Sequence, residues 1–443
     1  MRLPAYPEYR ESGVAWLGKV PAHWTIDRLK TIFCIVGGST PKSDEPSYWN
    51  GEIVWISPAD LSSLTSLFVF RSIRRITRLG LESCAASLVP AGSIVLSTRA
   101  PIGYLAISTI ELCTNQGCKA LVPKQNDLSL YFAYYLSICT KSLNLYGKGT
   151  TFSEISGDAL GAFHTPYPSK FEQTAIAAFL DRETGKIDAL IAAQEKLLAL
   201  LAEKRQATIS HAVTRGLNPD APMKDFGIAW LGKVPAHWEV NPIKSVATIN
   251  DNVLPESTNP SCHINYIDIG SVSLEGGIRK IDTFQFADAP SRARRLVKQG
   301  DVIVSTVRTY LKAITSISSD FANFVVSTGF AVIRPTIDLQ KEFAKFCLQS
   351  DYFIDEVICR STGVSYPAIT ATDLGKLSLP FPSREEQTAI ATFLDKETGK
   401  IDALVAAQKK LSELLKERRS ALIAAAVTGK IDVRNALSEE QAA

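Results

Sequence analysis

The sequence predicts a doubled α/β (α+β) architecture: two tandem α/β domains joined by two long helices that form an antiparallel coiled coil with approximate two-fold symmetry. Three observations lead there. A block repeats letter for letter at a spacing of 214 residues. Short β-branched runs broken by Gly, Pro and Asn fill the body of each repeat, and a 3.6-residue apolar period follows each body.

The repeat is explicit. Ala15 to Trp24 (AWLGKVPAHW) recurs unchanged as Ala229 to Trp238. Glu172 to Gln194 recurs as Glu386 to Gln408 with 20 of 23 positions identical, at the same offset. Two such periods account for all but 15 of the 443 residues, so the units are domain-sized and do not form a solenoid. Similarity is high at the flanks and drifts in the middles, where Gly92-Ser-Ile-Val-Leu-Ser-Thr98 answers Gly300-Asp-Val-Ile-Val-Ser-Thr306 at offset 208. One scaffold carries two different surfaces.

In the first body, residues 26 to 165, strands are expected at Ile53–Ile56, Ile94–Ser97, Leu105–Ser108 and Ala120–Val122, with a helix near Leu128–Ser142. The second body, about 240 to 379, predicts strands near Asn265–Ile269, Val302–Ser305 and Ala331–Ile333 and a helix near Leu339–Ile358. Pro166-Tyr-Pro168-Ser169 reads as a helix start and Gly216 as its stop; the copy runs from Pro380-Phe-Pro382-Ser383 to Gly429. Over some 40 residues each helix would extend ~60 Å, with Gly185 and Gly399 as candidate kinks. Each apolar stripe either packs only on its own domain or pairs with the other long helix.

Composition is that of an ordinary soluble globular chain: 46% hydrophobic, 21% charged, net charge +3. No apolar run approaches the roughly 18 residues of a membrane span, and the start shows no signal peptide. Eight scattered cysteines without Cys-x-x-Cys spacing read as reduced thiols in a cytoplasm. A pI near 8.3 is too mild to demonstrate a nucleic-acid partner by itself.

Catalytic signatures are missing. The sequence has no acid-x-Lys pair, no Gly-Lys followed by Ser or Thr, and no Pro-Pro dipeptide. Its Gly147-Lys-Gly149 is followed by Thr-Thr-Phe and is no dinucleotide fingerprint. The five histidines lack metal spacing. His23 and His237, each beside a tryptophan and with no partner acid, read as packing or turn residues rather than catalytic ones.

What remains resembles recognition chemistry. Arg71, Arg74, Arg75 and Arg78 cluster in the first unit, and Arg292, Arg294, Arg295 and Lys298 lie at a comparable place in the second. Guanidinium forks suit phosphates and guanine edges; a solvated charged face is the alternative. The polar stretch Ser39 to Gly51, with Thr40, Lys42, Tyr48 and Trp49, fits a base or groove contact or an aromatic lid on a small core. Arg99 and Arg308 follow the shared Ser-Thr at strand ends. Lys148, Thr150 and Thr151, and Ser365 and Tyr366, lie in Gly-bounded loops suited to phosphate.

Taken together, Trp-Leu-Gly-x-Val-Pro-x-His-Trp, Gly-x-Ser-Thr-Pro…Tyr-Trp-x-Gly, and the doubled Pro-x-Pro…Glu-Gln…Ile…Leu-Asp block closely resemble the specificity (S) subunit of Type I restriction-modification systems. The resemblance covers nearly the whole chain. It departs in having Pro166-Tyr-Pro168 and Pro380-Phe-Pro382 where two adjacent prolines are usual, and in lacking the Tyr-Trp-Asn-Gly loop in the second unit.

It implies target-recognition domains at 1–168 and 217–382, helical spacers at 169–216 and 383–430, and a tail at 431–443. It further implies a non-catalytic subunit reading a bipartite double-stranded DNA site in the cytoplasm, with no membrane partner. Two methyltransferase subunits and restriction (nuclease and translocase) subunits would supply the chemistry. S-adenosylmethionine, ATP and Mg would sit on those partners, with no cofactor on this chain. A scaffold binding only protein through two helical modules is the rival reading, and the divergent, arginine-bearing middles count against it.

Overall fold

A computed structural model describes residues 4–125, 129–147, 154–228, 230–318 and 324–436. Its contacts divide the chain into two units, Met1–Ala193 with Leu411–Ala443, and Gln194–Lys410. The division falls inside the long helices, Lys170–Arg215 and Arg384–Val427, rather than at the boundaries read from the repeat. Each unit holds the front half of one long helix and the back half of the other.

Burial explains this division. In the first unit Ile176, Phe179 and Leu180, from the front of the first long helix, share a core with Trp24, Tyr131, Phe132 and Phe163, and with Ile423, Ala426 and Val427 from the end of the second. In the second unit Ile390, Ala391 and Leu394 share a core with Trp238, Phe343, Phe346 and Phe353, and with Ile209, Ala212 and Val213 from the end of the first. The apolar stripes are therefore divided between units, and neither reading of the stripe alone describes them. An ion pair ties the two helix halves together within each unit. Arg419 grips Asp188 through two bonds of 2.7 and 3.0 Å in the first unit. Arg205 meets Asp402 at 3.0 Å in the second. The repeat offset converts one pair into the other with the helices exchanged.

The four strands shared by the bodies form one framework. In the first unit the sheet order is Phe33–Gly37, Cys118–Pro123, Ile94–Ser97, Leu105–Ser108 and Phe68–Val69, antiparallel except for the last pair. In the second it is Ala247–Ile249, Phe330–Pro335, Val302–Ser305 and Ile314–Ser316, antiparallel throughout. Each unit adds a second sheet. It has three strands around Trp49–Ile56 in the first unit and four around His263–Ile267 in the second. The single helix expected in each body is broken in two, into Ser129–Ile138 and Thr140–Tyr146, and into Lys341–Gln349 and Asp351–Cys359. In the second body Ser350 stands at the break, and its hydroxyl bonds the Cys347 carbonyl, which ends the first segment.

The doubled sequence block is a clasp. Pro166 and Pro380 lie in short strands, His164–Tyr167 and Ser378–Phe381, which pair with the residues just after Trp24 and Trp238. Ser169 caps the first long helix and Glu172 returns the bond in a reciprocal capping box. The other oxygen of Glu172 takes His23 Nε2 at 2.8 Å and the Trp24 indole N–H at 3.2 Å. Glu386 repeats both contacts with His237 and Trp238 at 2.9 and 3.3 Å. Each histidine thus has a partner acid after all, 149 residues away, beyond the reach of local spacing. Gln173 and Gln387 each donate to the carbonyl of the preceding proline, Pro168 and Pro382, at 3.0 Å. The helix ends close onto the same tryptophans. Gly216, at φ +72°, packs on Trp238, and Gly429, at φ +73°, packs on Pro21 and Trp24 with no room for a Cβ.

Burial alone would raise the Glu172 carboxyl, but hydrogen bonds from His23, Trp24 and Ser169 outweigh it and hold the group below its ordinary value of 4.5. Replacing Glu172 by Ala should therefore destabilise the first unit by about 2–4 kcal/mol, because it strands the buried indole N–H and removes a charged acceptor. The same change at Glu386, whose side chain is 38% exposed, should cost about 1 kcal/mol. A depressed carboxyl stabilises above the unfolded value, so the difference between wild type and Glu172→Ala should shrink as pH falls below about 4.5. Urea unfolding at pH 7 and pH 4 checks both the ranking and the sign.

Candidate nucleic-acid interface

In the first unit the stretch from Ser39 to Gly51 is locked from beneath. The Trp55 indole donates to the Ser39 carbonyl at 2.9 Å and the Trp49 indole to the Lys42 carbonyl at 3.0 Å. The two rings meet edge to face at 5.3 Å. Trp49 is 7% exposed, so it forms the floor of this surface and presents no edge to a base. That corrects its expected role as a contact residue: the indole has its bonding partner inside, and its ring is covered. Tyr48 is half-buried, Lys42 is exposed, and the Thr40 hydroxyl is bonded to Gln116.

The arginine segment is fastened to this floor. Thr77 bonds the carbonyls of Tyr48 and Ser47 through its N–H (2.9 Å) and hydroxyl (2.8 Å). Gly80 lies so close that a Cβ would sit 2.4 Å from the Tyr48 carbonyl oxygen, which only glycine tolerates. Buried Asp60 accepts the Ile73 N–H at 2.6 Å and also caps Ser57 at 2.9 Å. On this support Arg71, Arg74, Arg75 and Arg78 are all exposed. Arg74 lies 3.4 Å above the Trp49 ring, Arg71 is 5.8 Å from Phe70, and Arg78 pairs with Glu82 at 3.2 Å. Exposed Phe70, Ile73 and Leu79 stand among them. Cations interleaved with apolar side chains on a braced edge suit a polyanion with flat or methyl-bearing faces. The apolar members were not singled out from sequence, although the run FVFRSIRRITRL carries them in plain alternation.

The comparable cluster in the second unit is arranged otherwise. Arg292 bonds the Tyr266 hydroxyl at 3.2 Å and Asp268 at 3.4 Å, and those two groups raise its pKa. Arg294 lies over Phe286 at 5.0 Å and donates to the Ala293 carbonyl at 3.1 Å. Arg295 is half-buried, its pKa is lowered by burial, and its Nη1 has no hydrogen-bond partner among the described residues. Only Arg292 and Lys298 are exposed, so an arginine face equivalent to the first is not formed. This corrects the expected symmetry of the two clusters. The second sheet of this unit has a fourth strand, Ala293–Leu296, and Arg294 and Arg295 are built into it.

At the strand ends Arg99 pairs with Glu154 at 2.8 Å, whereas the Arg308 guanidinium lies 4.9 Å from the centre of the exposed Tyr366 ring, which follows exposed Ser365. Lys148, Thr150 and Thr151 lie outside the described residues. Among the described residues no group of three or more His, Cys, Asp or Glu side chains is placed to hold a metal, and no helix is long and apolar enough to cross a membrane.

The family model for the Type I restriction modification DNA specificity domain matches twice, at residues 21–199 and 235–414. The Type I restriction enzyme MjaIX specificity subunit of Methanocaldococcus jannaschii is 38% identical over 177 residues, which is 39% of this chain and 40% of that protein. A putative MjaX specificity subunit of the same organism is 24% identical over 94% of this chain and 96% of its own length. In a structure described under complex assembly and conformational transition of the type I R-M system, one chain shares the fold with TM-score 0.64 and 18% identity, over 92% of this chain and 98% of that one. With the doubled clasp, the duplicated framework and the twofold family match, the chain belongs to the Type I restriction-modification DNA specificity family, as a specificity subunit and not one of the catalytic ones.

Proposed function

We propose that this chain reads a bipartite double-stranded DNA site and positions the methyltransferase and restriction subunits of a Type I complex in the cytoplasm. The observation that carries the reading is one strand framework and one clasp, each present twice, bearing exteriors that differ between units. Shared flanks give two like docking surfaces for two modification subunits, and divergent exteriors give two different half-sites. Among the residues proposed to meet DNA are Thr40, Lys42, Tyr48, Arg71, Arg74, Arg75, Arg78, Arg292, Lys298, Arg308, Ser365 and Tyr366. S-adenosylmethionine, ATP and Mg belong to the partner subunits in this reading, where an adenine is flipped from each half-site.

The paired helices set the distance between half-sites. Inserting four residues in one helix between 186 and 213, about 6 Å of rise, should lengthen the tolerated gap without changing the bases read. Methylation-site mapping checks this: altered half-sites with an unchanged gap would refute it. Exchanging residues 26–165 for the matching span of a related protein should change one half-site only, and a change in both would show that the readers are not independent. In the first unit, Ala at Arg71, Arg74 or Arg75 should weaken binding to all duplexes alike and flatten the log K against log salt slope by about 0.9 per lost phosphate contact. Unchanged slopes for all three would remove them from the interface.

A further inference from the structure

Arg99 and Arg308 look alike in sequence, each close behind a Ser-Thr pair, yet they are not equivalent in space. The same backbone contact fixes both frames: Ile155 N–H bonds the Thr98 carbonyl and Ile369 N–H bonds the Thr306 carbonyl, each at 2.9 Å. In that frame Arg99 pairs with Glu154 across an isolated bridge, and Val307 pairs with Ala368. Val307 therefore occupies the place of Arg99, and Ala368 that of Glu154. Arg308 is one residue further on, and the carboxylate that engages Arg99 has no counterpart beside it.

The backbone around Arg308 is strained and braced. Arg308 and Lys312 both take the left-handed conformation, at φ 51° and 50°, on either side of a single turn, Thr309–Leu311. Non-glycine residues hold that conformation at an energetic cost, and such positions gather at functional sites. Two bonds fix the turn to the neighbouring loop, and two more close that loop on itself. Arg308 N–H reaches the Pro367 carbonyl at 2.8 Å, the Thr309 and Ser361 hydroxyls meet at 2.8 Å, and Thr362 and Ala368 close the loop with paired bonds of 2.9 Å. The fixed loop places the Tyr366 ring 4.9 Å from the guanidinium, and Tyr310 of the turn and Val364 of the loop are also exposed. No ion pair involves Arg308 among the described residues. An exposed, uncompensated guanidinium held beside an aromatic ring can offer its fork to a planar, two-acceptor edge, which in duplex DNA is guanine O6 and N7.

We infer that Arg308, held against Tyr366 by the strained turn, reads a guanine edge in the half-site of the second unit, whereas Arg99, engaged by Glu154, is a positioning residue that meets no base. This rests on the DNA-reading function proposed above. The test is selection of bound duplexes from a random library by the full chain assembled with a modification subunit, comparing wild type with Arg308→Lys, Arg308→Ala and Arg99→Ala. Arg308→Lys keeps the charge and loses the fork. Both Arg308 variants should lose preference at a single G·C pair in one half-site, with cognate binding down about 5- to 150-fold and the other half-site intact. Arg99→Ala should return the wild-type motif. Retention of the full motif by Arg308→Lys, a uniform loss across all sequences, or loss of a base by Arg99→Ala would each overturn the inference. A wild-type complex that selects no motif would refute the DNA-reading function itself, and the inference with it.

Discussion

Each long helix enters the fold over a carboxylate that accepts from an indole and an imidazole on a turn 148 and 149 residues earlier. The rest of the molecule depends on this contact. It fixes where the helix begins, because Ser169 and Glu172 cap one another. It fixes where the body closes, because the Pro-x-Pro strand that leads into the helix pairs with the residues after the tryptophan. It also fixes where the other helix ends, because Gly429 and Gly216 seat on the same tryptophans. The carboxylate is worth burying only because three donors converge on it, and Glu172, more enclosed than Glu386, depends on them most.

With termini and helices held this way, the bodies are free to differ on the outside. The four framework strands agree in order and direction between the units. The attachments disagree in a physically consistent manner. In the first unit a tryptophan floor and the close approach of Gly80 to the Tyr48 backbone raise four arginines into solvent. In the second, an added strand takes Arg294 and Arg295 out of full exposure, and a further exposed cation stands on a strained turn. Duplication has preserved the support while the presented chemistry has moved to a different place.

Much of this was legible in the sequence. The strands Ile94–Ser97, Leu105–Ser108 and Val302–Ser305 fall where β-branched runs placed them, and both long helices start and stop at the Pro-x-Pro-Ser and Gly signals. Helical periodicity showed that a stripe must be buried but not by which unit, since that depends on contacts more than 200 residues apart, such as Asp188 with Arg419. The partners of His23 and Arg99 were hidden for the same reason. Clustered arginines in a sequence carry no information on whether a Tyr266, an Asp268 or a Phe286 waits beside them, so the two clusters looked equivalent until their surroundings were known. Thr306 takes the place of Thr98, as the repeat implies, but one residue of slippage after it moves an arginine from an ion pair to an exposed position beside a tyrosine ring.

If one duplicated support carries two independent readers, the methylation pattern of the assembled complex must be bipartite and asymmetric. Mapping methylated adenines across a genome exposed to the assembled complex should return a single motif of two dissimilar half-sites separated by a fixed run of unread bases, with one methylated adenine in each half. A continuous motif, two identical half-sites, or methylation without sequence preference would contradict it.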